Sequence, residues 1–131
     1  MSGDADTLSL YTGIDADGDA ELVTYSIDAN ELIETVSDLV CTTSCTPQTP
    51  LIRSIISGVQ NQALEGSGAG TDLFTYYGSD PVSGTITALG DPPSIPDAQY
   101  IEIHMVVDLD PDRSPTCETL EIGVTLRNWH D

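Results

Sequence analysis

The sequence predicts an α+β fold, an antiparallel β-sheet with one short helix. Three observations carry this. Apolar and polar residues alternate over several short runs, the period of half-buried strands. One run, residues 51–64, shifts to the spacing of a helix face. Gly, Pro, Asp and Ser separate the runs, as turn residues do. At 131 residues the chain is the length of one domain, and such a domain buries roughly two-thirds of the surface that its unfolded chain exposes. Residues 4–128 are read as that domain, with Met1, Ser2 and Gly3 set aside as an expression scar.

The first run, TLSLYT at 7–12, sets Leu8, Leu10 and Thr12 against Thr7, Ser9 and Tyr11. LVTYSID at 22–28 follows an acidic DADGD turn whose Asp and Gly residues tolerate positive φ, so strand, turn, strand is the simplest account. ELIETVSDLV at 31–40 returns after DAN with a mixed alternation that sets Leu32, Glu34, Val36 and Asp38 on one side. In PLIRSIISGVQNQAL, Leu51, Ile52, Ile55, Ile56, Val59 and Ala63 recur at helical spacing, and Pro50 stands where a first helical turn accepts proline. A short helix weakened by Gly58 is expected there, then a flexible EGSGAGTD loop. LFTYYGSD places Phe74, Tyr76 and Tyr77 in a strand central to the core, and GTITAL at 84–89 is a short strand. QYIEIHMVVDLD and ETLEIGVTLRN alternate throughout and form a long antiparallel hairpin. Their connection, DPDRSPTC, holds two prolines that cannot donate to a ladder and lies outside the sheet.

Charge excludes several function classes. Twenty-two acidic residues face only Arg53, Arg113 and Arg127, with no lysine, for a formal charge of −19. Neutralising phosphates requires clustered Lys or Arg, so neither a nucleic-acid backbone nor an anionic membrane surface is an expected partner. No stretch of eighteen apolar residues occurs, and residues 1–12 lack the basic and apolar regions of a signal peptide.

Candidate sites are few. Cys41 and Cys45 in CTTSC can close a disulfide if the backbone doubles back and brings their Cα atoms within about 7 Å. Two free buried thiols are the alternative, and Cys117 is then a free buried thiol or the true partner of one of the pair. Asp15, Asp17 and Asp19 lie at the offsets of a calcium loop, but Ala20 replaces the Gly and Ser26 the bidentate Glu of that pattern. An Asp/Gly hairpin turn is the alternative account of them. Asp108, Asp110 and Asp112 form a second, weaker acidic cluster. No nucleophile elbow occurs, His104 lies mid-strand and His130 in the tail, so no catalytic residue is assigned and a non-enzymatic protein is expected. Apart from calcium at those three aspartates, no cofactor is expected. Arg127 is expected to pair with a carboxylate or backbone carbonyls near the last strand.

The order of elements, with Phe74-Thr75-Tyr76-Tyr77 and the closing Val124-Thr125-Leu126-Arg127-Asn128 as its most specific parts, resembles the C-terminal headpiece of bacterial minor pilins and pseudopilins. The resemblance spans Leu8 to Asn128. It implies a structural subunit of a type IV pilus, competence pilus or type II secretion pseudopilus, with other pilin subunits as partners, on the extracytoplasmic side of a membrane. The family's cleavage site and long hydrophobic N-terminal helix are absent from this sequence. The resemblance therefore implies a headpiece separated from its anchoring helix, which would otherwise cover one face of the sheet. A secreted acidic module that binds calcium or acts as an adhesin is the alternative.

Unpaired carboxylates repel over a screening length of about 10 Å at 0.1 M salt. The melting temperature is accordingly expected to rise between low ionic strength and molar NaCl. A melt that is flat across that range would show the carboxylates to be individually satisfied.

Overall fold

A computed structural model describes residues 2–3, 5–12, 20–61, 72–80, 82–90, 97–108, 110, 112–113 and 117–126. Its strands are β1 (Ser2–Gly3), β2 (Thr7–Thr12), β3 (Glu21–Asp28), β4 (Glu31–Cys41), β5 (Cys45–Pro47), β6 (Leu51–Ser57), β7 (Phe74–Ser79), β8 (Ile86–Ala88), β9 (Tyr100–Asp108) and β10 (Cys117–Thr125). The runs at 7–12, 22–28, 31–40 and 73–80, the short run at 84–89 and both halves of the C-terminal hairpin are thus strands. Ser2 and Gly3, set aside in the sequence, pair with Ser9 and Leu8.

The expected α+β class is overturned, because the run read as a helix begins as β6 and no described segment is an α-helix. The physical reason lies in the register with β4. Glu34 pairs Arg53 and Ile33 pairs Ser54, but Leu32 pairs Ile56, so Ile55 is an extra residue in a bulge. A bulge breaks the two-residue alternation of a strand, and the broken alternation of Leu51, Ile52, Ile55 and Ile56 imitates helical spacing. Three isoleucines in seven residues favour the extended state. Gly58, with φ at +80°, then turns the chain away, and a Cβ there would lie 2.5 Å from the Asp108 carbonyl oxygen.

Two antiparallel sheets result. The first runs β1-β2-β3-β4, with β5 and β6 pairing successive parts of the far edge of β4, and the second runs β10-β9-β7-β8. Hairpin β3–β4 closes through Ala29 and Asn30, both at positive φ, the conformation of a two-residue type I′ turn. Inward residues of both sheets meet in one core. Leu8, Phe74, Tyr76, Ile101, Met105 and Val107 are buried together, and Leu10, Tyr25, Ile27, Leu32 and Ile56 pack against them. The cover that the first sheet needs is therefore the second sheet, rather than the 51–64 helix or an anchoring helix. The architecture is a β-sandwich.

The described start of the crossover between the sheets runs from Gly58 to Asn61. Val59 is fully buried, donates its N–H to the Asn30 carbonyl of the β3–β4 turn (2.9 Å) and bridges Val107 of β9. Asn61 is 1% exposed. Its amide donates to the His104 carbonyl at 2.7 Å and accepts the Val106 N–H at 2.9 Å, as a strand peptide would. Beyond the end of β7, where Leu73 accepts from the His104 N–H, this side chain and Gly58–Gln60 carry the ladder along β9.

Replacing Asn61 by Ala strands one donor and one acceptor on β9, which together should cost about 3 kcal/mol of stability in urea unfolding. A loss below about 1 kcal/mol would show the amide to be dispensable.

Candidate functional site

Alternation and register bring three polar side chains of the first sheet onto one face. Tyr25 of β3 lies opposite Glu34 of β4, and Glu34 lies opposite Arg53 of β6. Tyr25 packs against the core and Glu34 is only 8% exposed, so a carboxylate sits at the margin of the apolar layer. Such a group needs full pairing. The Tyr25 hydroxyl donates to Oε2 at 2.7 Å, and the Arg53 guanidinium donates to and ion-pairs with Oε1. The Tyr25 hydrogen bond holds the Glu34 carboxyl below its ordinary range, with Arg53 adding to it against the opposing effect of burial. The same bond, with burial, raises the Tyr25 phenol. The arrangement fastens the edge strand β6 to the sheet, with both Glu34 oxygens engaged.

The outer face of the second sheet carries the other polar group. Tyr77 donates to Glu102 Oε2 at 2.7 Å, which raises its phenol together with burial and the Glu102 charge. Tyr77 meets Tyr100 edge to face with ring centroids 5.7 Å apart. Gly123, opposite Glu102 on β10, lies under the Tyr100 side chain, and a Cβ there would displace the phenol ring. His104 Nδ1 lies 3.0 Å from Glu121 Oε1 across the β9–β10 ladder. Two pairs, each tyrosine or histidine with one carboxylate, make a structured surface.

The predicted sites fare unequally. Cys41 and Cys45 are bonded (Cα–Cα 4.0 Å) and are direct register partners of β4 and β5, with residues 42–44 as the turn between them. Cys117 is free, as one of the two expectations had it, but exposed on β10 rather than buried. Asp15, Asp17, Asp19, Arg127 and His130 lie outside the described residues. Asp108, Asp110 and Asp112 do not converge as ligands: Asp108 accepts the Asp110 N–H at 3.1 Å, and Asp110 lies 3.5 Å from the Arg113 guanidinium. Among the described residues no group of three possible metal ligands occurs. Asp80 caps its own turn, accepting the Val82 and Ser83 N–H groups at 2.7 and 3.0 Å, and these bonds, that of Ser83 foremost, lower its carboxyl. A recess of about 30 Å³ lined by Ala5, Phe74, Tyr76 and Leu89 has room for one water molecule. The Tyr25–Glu34–Arg53 row and Asn61 were missed by sequence reasoning. Glu34 on the same side as Leu32 and Val36 was the available signal.

The other conspicuous surface is apolar. All nine residues of β10 are exposed, with Leu120 at 48%, Ile122 at 60% and Val124 at 43%. On β6, Leu51 and Ile52 are more than half exposed. The chain matches no protein-family model, no curated protein and no solved structure, so the reading of its function rests on its own residues.

The sign of the Glu34 shift sets a pH window. A carboxyl lowered in the folded state contributes stability that is fully present above its ordinary value of 4.5 and is lost as pH falls through the lower folded value. Glu34→Gln should therefore cost about 2 kcal/mol at neutral pH, discounted for the exposure of Arg53, with a difference from the parent that narrows below pH 4.5. Urea unfolding at neutral pH and near pH 3 checks this, and an unchanged difference would assign the effect to packing.

Proposed function

We propose that this chain is a non-enzymatic structural subunit of an extracytoplasmic surface assembly, working by contact between its exposed sheet edges and its neighbours. The observation that carries the reading is the apolar row Leu120, Ile122 and Val124 on β10, an exposed edge strand of a chain with a formal charge of −19. A chain so heavily charged is kept apart from its surroundings by its own field. Aliphatic side chains held at the rim of a sheet mark where that separation ends. A disulfide closed between β4 and β5 supports an oxidising compartment.

The finer reading, a subunit of a type IV pilus or a pseudopilus, has Phe74–Tyr77 and Val124–Asn128 as its support. The helix it required at 51–64 is not part of that support, since Leu51–Ser57 is a strand. Filament subunits and free-standing adhesive modules are separated by where the protein is found. Antibodies against this chain should label intact cells of the organism that makes it and recover the protein in sheared surface material. Recovery only from the growth medium would move the reading to a secreted adhesive module. Recovery from the cytosol would overturn both.

A further inference from the structure

Edges of sheets are templates for further strands, and proteins blunt them with short strands, prolines, bulges or lysines. The described edges of this sandwich show that treatment everywhere but one. β1 has two residues, β8 has three, and β5 has three and ends on Pro47. β6 carries the bulge at Ile55. β10 pairs β9 over nine residues without a shift in register, contains no proline, and has no described strand paired to its other side. Leu120, Ile122 and Val124 lie opposite Met105, Ile103 and Ile101 of β9, so they extend the core-facing row of the second sheet past its last covered strand.

The residues of β10 also say what fits beside it. An antiparallel neighbour identical to β10, placed with Ile122 opposite Ile122, sets Leu120 against Val124 and Thr119 against Thr125. In that register Glu121 falls opposite Gly123, which carries no charge and has the Tyr100 phenol over it. Moving the axis to Glu121 would oppose two carboxylates, which disfavours the alternative. A basic foreign strand would be drawn by Glu118 and Glu121, of which Glu121 already lies 3.0 Å from His104 Nδ1, and such capture is told from self-pairing by its opposite response to salt. We propose that β10 joins two copies of this chain about a two-fold axis at Ile122, making one continuous sheet from two four-stranded ones.

The field of the chain sets the conditions. Two copies at −19 each repel at low ionic strength. Salt shortens the repulsion and strengthens the burial of the aliphatic row. Pairing is therefore promoted by salt, whereas capture of a basic strand would be weakened by it. The inference gives the structural-subunit reading its partner, yet the two fail separately: this one on mass and cross-linking, that one on where cells keep the protein.

The test is the mass of the whole chain by light scattering after size exclusion, at low ionic strength and in molar NaCl. The expected result is 13.9 kDa at low salt and twice that in molar salt. Ile122→Lys, at a position 60% exposed, should leave the fold intact and the mass at that of one chain in both buffers. Register is read separately in a Cys117→Ser background. Ile122→Cys should form a disulfide-linked dimer on mild oxidation at least tenfold faster than Leu120→Cys, whose counterpart across the axis is Val124. A single-chain mass throughout, a dimer that Ile122→Lys leaves in place or that salt dissociates, or equal cross-linking of the two cysteine variants would each overturn the proposal.

Discussion

The sandwich hangs on Gly58 to Asn61, the described residues that follow β6 and run along β9. Val59 ties the β3–β4 turn to β9, and Asn61 presents a side-chain amide to backbone groups of β9 that β7 is too short to reach. Without that segment, one side of β9 from His104 onward would face the interior with unpaired peptide groups, each costing about 1–3 kcal/mol. Gly58 makes the route possible, since its φ of +80° and its missing Cβ let the chain pass against the Asp108 carbonyl. The two sheets are thus stitched by hydrogen bonds as well as packed by their apolar faces.

Among the described residues two carboxylates are buried, Glu21 and Glu34, and Glu34 is held by partners from two neighbouring strands. Glu34 lies beside Leu32 and Val36 on the inward face and is held by Tyr25 on one side and Arg53 on the other. One of only three cations in the chain is committed there, which binds β6 to its neighbour in spite of the bulge. On the outer face of the second sheet, Glu102 and Glu121 are matched by Tyr77 and His104. Carboxylates with local partners rigidify the face on which they lie. The core-facing row of β10, where Leu120, Ile122 and Val124 are exposed, is the part of that sheet left without a cover.

Much of the strand content was legible because alternation is a local signal. Leu8 and Leu10, the Val23–Tyr25 stretch, Phe74 with Tyr76, and the long runs on β9 and β10 each announce a strand regardless of what covers it. The 51–64 run failed for an equally physical reason. Its alternation is broken at Ile55 by a bulge that exists only because β4 lies alongside, and a broken alternation of Leu and Ile has the spacing of a helix face. The bond between Cys41 and Cys45 could be anticipated from a short Thr/Ser turn. The Tyr25–Glu34–Arg53 row could not, because it joins three strands through registers that no single strand encodes.

By itself, the sequence determined where most of the strands lie, that the DAN turn would return β3 to β4, and a formal charge of −19. These properties depend on side-chain chemistry and on neighbours a few residues away. Tertiary structure alone decided that the strands divide into two sheets that cover one another, that Asn61 stands in for a peptide group, and that β10 is left as an unprotected edge. Those outcomes follow from which backbone donors and acceptors find partners across tens of residues, a competition settled only when the whole chain is packed.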